Sequence, residues 1–176
     1  TKAVAKCCDG IADALHDIQP DLALITVDRV ETLAATVAAS MMNLPIAHIQ
    51  GGEVTGSIDE SVRHAITKFA HIHFPACEGA KQRIIRLGEN PKHVHMVGCP
   101  RIDLVADFIS NNSFNTSFSE FGVGGYINLD KPFLLVSQHP VTTEYGDGEK
   151  QITNSLRAIQ KHGLQAIVLW PNSDAG

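Results

Sequence analysis

The chain has 176 residues, of which 44% are hydrophobic and 19% charged, with a formal net charge of -5 at pH 7. This is an ordinary globular balance, enough for one sizeable core or for parts of two domains, and it sets disorder aside. No apolar run approaches the roughly 18 to 20 residues that cross a bilayer, the opening Thr1-Lys2-Ala3-Val4-Ala5-Lys6 lacks the apolar stretch of a signal peptide, and no basic run offers a footprint for nucleic acid.

Short β-rich runs alternate with longer segments of helical period, the pattern of a parallel sheet covered by helices. The chain opens in a helix, Val4 to Leu15, and a strand follows from Leu22 to Val27. In the next helix, over 30–43, Leu33, Val37 and Met41 recur at i, i+4, i+8 and predict one buried stripe. A second strand is expected from Pro45 to Ile49. The helix after it opens at Ile58-Asp59-Glu60-Ser61, where acidic residues suit a helix N-terminus, and runs to about Ala70. A third strand (Ile72 to Ala76), a helix from Ala80 to Leu87 closed by Gly88, and a fourth strand (His93 to Val97) come next. From Ser110 to Asp130 the pattern fails in a polar, Gly-rich stretch that reads as an interdomain connection. Beyond it lie a strand from Phe133 to Ser137, a helix marked by Ile152, Leu156 and Ile159, and a strand from Gln165 to Trp170.

The expected fold class is α/β with Rossmann-like parallel sheets. Its expected parts are the latter part of one domain over 1–109, a connection over 110–131 and the start of a second domain over 132–176. Both ends read as cut, since residue 1 enters a helix and no helix follows the last strand. Cys7, Cys8, Cys77 and Cys99 show no CxxC spacing and read as reduced thiols, and a cytoplasmic protein is expected.

In open α/β sheets ligands bind beyond the carboxyl ends of the strands. Those positions hold Asp28, Arg29 and Glu31 after the first strand, and His48, Gln50, Gly51, Gly52 and Glu53 at the second. In the second half they hold His139 with Thr142-Thr143-Glu144, then Asn172, Ser173 and Asp174. Asp28-Arg29 reads either as a helix cap with a solvated neighbour or as a carboxylate beside a phosphate-binding cation. Gly51-Gly52 is either a plain turn or a place where backbone approaches a ligand. His139, fixed before Pro140, is a ligand contact or a structural histidine. There is no GxGxxG and no phosphate-binding P-loop. His71 with His73, and His93 with His95, share a face if both runs are strands, yet no Cys or carboxylate cluster completes a metal site, so packed histidines are the better reading.

Five segments taken together resemble a known family. His48-Ile49-Gln50-Gly51-Gly52-Glu53, then Ile58-Asp59-Glu60-Ser61-Val62-Arg63-His64-Ala65-Ile66-Thr67-Lys68, Val97-Gly98-Cys99-Pro100, His139-Pro140-Val141-Thr142-Thr143 and Pro171-Asn172-Ser173-Asp174-Ala175-Gly176 are similar to successive motifs of the UDP-N-acetylglucosamine 2-epimerases. They are most similar to the hydrolysing, sialic-acid-pathway branch. The resemblance implies part of a two-domain GT-B-type architecture with a UDP-sugar in the cleft, no metal or organic cofactor, and a homo-oligomer for the full-length protein. It also implies the chemistry: proton removal at sugar C2, expulsion of UDP from C1, and hydration of the resulting glycal to free N-acetylmannosamine. Asp28, Gln50, Glu53 and Asp59 are then the catalytic candidates. Arg29 and His139 match residues associated with the diphosphate, and Asn172, Ser173 and Asp174 a nucleotide-contacting segment. His48, Gly51, Gly52, Arg63 and His64 complete the implied substrate-binding set.

Gln50 departs from the pattern, because many members carry Glu there and Gln is no base. Glu53 or Asp59 takes up that work, or Gln50 only positions the sugar, or the protein is slow or altered in substrate. Val27 departs too, since a Gly often precedes the Asp-Arg pair. A GT-B glycosyltransferase would use the same strand ends but release UDP only with an acceptor present, and a non-catalytic nucleotide-sugar binding module would bind without turnover.

Overall fold

Residues 2–111, 122–141, 144 and 146–171 are described by the computed structural model. Their contacts fall into two compact units, Thr1–Asn112 and Ser113–Gly176. The first unit opens with α1 (Lys2–Ile18), followed by β1 (Ala23–Thr26), α2 (Val30–Met41), β2 (Ile46–Ile49), α3 (Ile58–Phe69) and β3 (Ile72–Phe74). The three strands form a parallel sheet in the order β1-β2-β3, with Ile25, His48 and His73 in register across it. Parallel neighbours need a crossover, and α2 and α3 supply the two crossovers. β2 is the central strand, and its Ile46, Ala47 and His48 are all buried. The core gathers Ile25, Ala39, Ile46, Ile66 and Ala70, with Leu15 of α1 and Leu33 of α2 packed at its edge.

The helix over 30–43 forms, but its buried positions are Ala34, Thr36, Ala38 and Ala39, and Met41 is 69% exposed. The expected stripe of Leu33, Val37 and Met41 is therefore corrected. Small side chains let α1 come close, and the Cys8 thiol reaches the Ala34 carbonyl at 3.5 Å. Leu33 still packs at the core edge and Val37 is half-buried, so the buried face is shifted toward the small residues and Met41 falls outside it.

The first unit continues with α4 (Glu78–Arg86), a 3-10 turn (Pro91–His93) and α5 (Pro100–Ser110). The strand expected from His93 to Val97 is not formed. His73 and Val94 make a single parallel bridge instead, because Pro91 holds the segment before it in the 3-10 turn. The shared-face arrangement proposed for His93 and His95 is lost with that strand. His71, just before β3, is exposed and its Nδ1 accepts from the Ile46 amide at 3.2 Å, whereas His73 is buried. Helix α5 had no counterpart in the sequence reading. It starts on Pro100, a residue suited to the first turn, and it buries none of its side chains.

The second unit pairs β4 (Phe133–Val136) with β5 (Gln165–Val168) in parallel, joined through α6 (Gly148–His162). Gly163, in the left-handed region at φ 76, closes α6. Within the expected connection, residues 112–121 lie outside the described residues, and Asn128 begins a tight turn in which its Oδ1 accepts from the Asp130 amide at 2.9 Å. No helix among the described residues is long and apolar enough to cross a membrane.

Candidate functional site

The carboxyl ends of β1 and β2 carry two unusual backbone positions. Val27 and Gln50 both have φ 60, in the left-handed region that a β-branched residue rarely enters. Past Val27, Arg29 rather than Asp28 is the N-cap of α2, so the cap reading of Asp28 is corrected. The Asp28 carboxylate turns to α3, where its Oδ2 accepts from Arg63 Nη2. Arg29 extends outward, with Nε donating to Glu31 Oε2 at 3.2 Å. The Glu31 carboxyl lies below its ordinary range, chiefly through a backbone N–H and then through Arg29.

Gln50 donates from Nε2 to Cys99 Sγ at 3.0 Å, and its amide donates to the Phe74 carbonyl at 2.9 Å. The side chain expected to stand near the sugar is thus engaged at the start of α5. Gly51 and Gly52 both have packing reasons. A Cβ on Gly51 would sit 2.9 Å from both His48 Nδ1 and Thr67 Oγ1, and one on Gly52 would sit 2.3 Å from the Ala80 carbonyl oxygen. The space in question is filled by protein. Arg83 then donates to the Gly52 carbonyl at 2.8 Å.

The loop into α3 is tied from the helix itself. Glu60 Oε2 accepts from the amides of Thr55 and Gly56, each at 2.8 Å. Those two backbone donors, Gly56 first, hold the Glu60 carboxyl below its ordinary range. Ser57 is the N-cap, but its hydroxyl donates to Asp59 Oδ2 at 3.0 Å instead of capping. Glu53 offers its carbonyl to Arg63 Nη1 at 2.7 Å. One guanidinium, only 6% exposed as a residue, therefore joins the ends of both strands.

Beneath it runs a buried polar column. The Thr67 hydroxyl donates to the Arg63 carbonyl at 3.0 Å and lies 3.2 Å from His48 Nδ1. His48 has no exposed surface, and burial is the main reason its pKa drops to about 4; the Val27 carbonyl opposes that shift, while the charges of His73 and Arg63 add to it. It is neutral near pH 7 and placed to hold α3 rather than to meet solvent. His73 is also pushed down by burial, against the pull of Glu89, whose Oε2 is 3.4 Å away. Lys68 bridges to the other Glu89 oxygen. His64 Nε2 stands 4.0 Å from Glu60 Oε1.

The structure therefore brings Asp28, the Glu53 main chain and Arg63 together, while Gln50 is engaged by Cys99 and Asp59 by Ser57. Thr67 and Cys99 were not singled out from sequence. The signal for Thr67 was its i+4 spacing from Arg63 on one face of α3. Cys99 lay in the Val97-Gly98-Cys99-Pro100 segment, but its contact with Gln50, 49 residues away, had no local signal. In the second unit, His139 is exposed and its Nε2 lies 3.4 Å from Ser137 Oγ. It borders an open groove of about 1650 Å³ shared with Phe133, Leu135, Leu156 and Trp170. Thr142, Thr143, Asn172, Ser173 and Asp174 lie outside the described residues. Among the described residues, no three His, Cys, Asp or Glu side chains gather as a metal site.

The family model described as UDP-N-acetylglucosamine 2-epimerase matches residues 1–176. The chain is 37% identical over 177 residues to a protein of Legionella pneumophila named UDP-N,N'-diacetylbacillosamine 2-epimerase (hydrolyzing), covering 99% of this chain and 45% of the relative. It is 33% identical to a Campylobacter jejuni protein named GDP/UDP-N,N'-diacetylbacillosamine 2-epimerase (hydrolyzing), covering 90% of this chain and 40% of that one. The fold is similar to the crystal structure of UDP-GlcNAc 2-epimerase from Neisseria meningitidis bound to UDP-GlcNAc, with a TM-score of 0.80 at 20% identity over 97% of this chain and 48% of that one. The chain thus spans about half the length of the relatives it matches.

Proposed function

The chain belongs to the UDP-N-acetylglucosamine 2-epimerase family, and from that premise we propose that the whole protein is a hydrolysing UDP-N-acetylglucosamine 2-epimerase. In this reaction a base takes the C2 proton as the C1–O bond breaks, the bonding electrons leave with UDP, and water adds across the glycal to give free N-acetylmannosamine. The observation that carries the reading is the gathering of Asp28 and the Glu53 loop around the buried Arg63 at the ends of β1 and β2. A carboxylate held at a strand end, in a site partly closed to water, is what abstraction at C2 and charge development at C1 require. The names of the Legionella and Campylobacter relatives support the hydrolysing branch.

In this assignment Asp28 and Asp59 share the base and electrostatic roles, Glu53 stands nearby, and Gln50 positions the sugar. Arg29 and His139 serve the departing diphosphate, and Asn172, Ser173 and Asp174 serve the nucleotide. Residues 1–109 are the latter part of one Rossmann-like domain, 110–131 the connection and 132–176 the start of the next, in a cytoplasmic homo-oligomer. A second reading, favoured by the same two names, has UDP-N,N'-diacetylbacillosamine as the substrate.

The test is to incubate the full-length protein with each UDP-sugar in deuterated water and follow the products by NMR. UDP release with free N-acetylmannosamine deuterated at C2 is the expected result. Turnover of the diacetylated sugar alone moves the assignment to the second reading. Deuterium in an intact UDP-sugar points to a non-hydrolysing enzyme, and binding with neither exchange nor UDP release sinks the enzymatic reading.

A further inference from the structure

We propose that Arg63 is the positioning residue of this site: it fixes the Asp28 carboxylate against the Glu53 main chain instead of gripping the substrate's diphosphate. The inference rests on the epimerase reading above and departs from the substrate-binding role that the family resemblance implies for Arg63. A cation that receives a diphosphate must present donors to solvent. The Arg63 side chain is 7% exposed and has both terminal nitrogens engaged, Nη1 on the Glu53 carbonyl at 2.7 Å and Nη2 on Asp28 Oδ2. A buried guanidinium is costly unless paired, and these two acceptors supply its countercharge and its second hydrogen bond.

The anchor is itself anchored. Thr67 holds the Arg63 carbonyl at 3.0 Å and abuts His48 at 3.2 Å, and His48 is packed under Gly51, where a Cβ would come within 2.9 Å of its ring. Asp28 follows Val27, whose left-handed backbone at φ 60 is a position that persists only when its surroundings enforce it. The ion pair to Arg63 is the contact that enforces it from the α3 side. Asp28 and the Glu53 loop are therefore set before substrate arrives, and a loss of Arg63 frees both.

The experiment measures turnover, C2 deuterium incorporation and inhibition by UDP for full-length wild type, Arg63→Gln, Arg63→Lys, Asp28→Asn and the Arg63→Gln/Asp28→Asn double variant. Arg63→Gln should lower kcat about 100-fold, the cost of a roughly 1 Å misplacement, while KM and the UDP inhibition constant change by about threefold or less. Arg63→Lys should recover part of that loss, and the double variant should be no slower than Asp28→Asn alone. A rise of about tenfold or more in KM and the UDP constant with kcat retained makes Arg63 a diphosphate ligand and overturns the proposal. Effects that multiply in the double variant, or an Asp28→Asn enzyme at full rate, also overturn it. Thermal melting checks each variant's fold, and if Arg63→Gln unfolds, the cycle is run with Arg63→Lys under the same criteria. An inactive wild type sinks the epimerase reading and this inference together, whereas an active wild type with multiplicative effects sinks only this one.

Discussion

The two units treat the ends of their parallel strands in opposite ways. In the first, the central strand β2 is enclosed, and His48, Arg63 and Thr67 form a buried polar column under the strand ends. In the second, no described residue is buried, Leu135 is 66% and Trp170 80% exposed, and the strand-end His139 is exposed with its Nε2 3.4 Å from Ser137 Oγ. Parallel sheets are stable when both faces are covered. Low dielectric and close packing also make each polar contact in the first unit stronger and more exacting. The first unit can therefore hold its strand-end polar groups in one geometry, whereas those of the second are exposed and have fewer buried contacts to fix them.

The largest effect that sharpens this contrast is expected at the glycines. Gly52→Ala places a methyl 2.3 Å from the Ala80 carbonyl oxygen at φ 79, so backbone must move. We expect a loss of about 3 kcal/mol or more, from overpacking and left-handed strain together. Gly146 of the second unit has φ 97 but nothing within 4 Å of a Cβ. Gly146→Ala should cost only the conformational term, about 1 to 2 kcal/mol. Urea denaturation of the two variants checks the ordering, and equal losses would break the comparison.

Acid should act on the first unit next. The folded-state pKa of His48 is about 4, below the ordinary 6.5, so the native state favours the neutral ring and the unfolded chain binds the proton first. Its contribution is fully present above pH 6.5 and is lost as pH falls from there towards 4. The shift corresponds to about 3 kcal/mol. The lowered pKa of His73 acts in the same direction. Denaturation midpoints measured between pH 7 and pH 4.5, on wild type and His48→Gln, should show a steep decline that the variant flattens. An unchanged slope in the variant would place the acid sensitivity elsewhere.

What was legible in the sequence cuts across the two units. β1, β2, β3, β4 and β5 were visible as short runs rich in β-forming residues, although only the central β2 is enclosed. Helix α5 was not read, although Ile102, Val105 and Ile109 recur at i, i+3 and i+7 in its sequence; the fold leaves that stripe exposed. The stripe of α2 was misread because Ala34, Ala38 and Ala39 weigh less than Leu33 and Met41 on any hydrophobic scale, yet allow the closer approach of α1. Asp28, Gln50 and Glu53 were singled out by their place after strands, and the fold places them there. The role of Arg63 was hidden, because a buried ion pair between residues 35 apart has no local signature. For the glycines, sequence shows only that a side chain is missing, and the fold adds that His48, Thr67 and Ala80 occupy the place of a Cβ.

A smaller effect is expected at Val27, where conformation and burial point in different directions. A β-branched residue at φ 60 carries about 1 to 2 kcal/mol of strain, and glycine gives back roughly 0.5 to 1 kcal/mol of that through its greater freedom in the unfolded chain. Val27→Gly should therefore stabilise the chain by up to about 1 kcal/mol. Calorimetry on the pair decides it. A destabilised variant would mean that Val27 contributes packing worth more than its strain.

The smallest effect is expected in the second unit, at Leu135. A leucine enclosed in a core costs about 2 to 5 kcal/mol when truncated, but that figure measures contacts and a cavity that Leu135 does not have while two-thirds of its surface meets solvent. Leu135→Gln in the 176-residue chain should change stability by no more than about 0.5 kcal/mol. Hydrogen exchange gives the same test without a substitution: amides of β2 should be protected far longer than those of β4, since few buried contacts oppose local opening there. A loss above about 1.5 kcal/mol on Leu135→Gln, or equal protection in β2 and β4, would mean that the face bearing Leu135 is covered in solution. The contrast between an enclosed and an exposed unit would then have to be withdrawn.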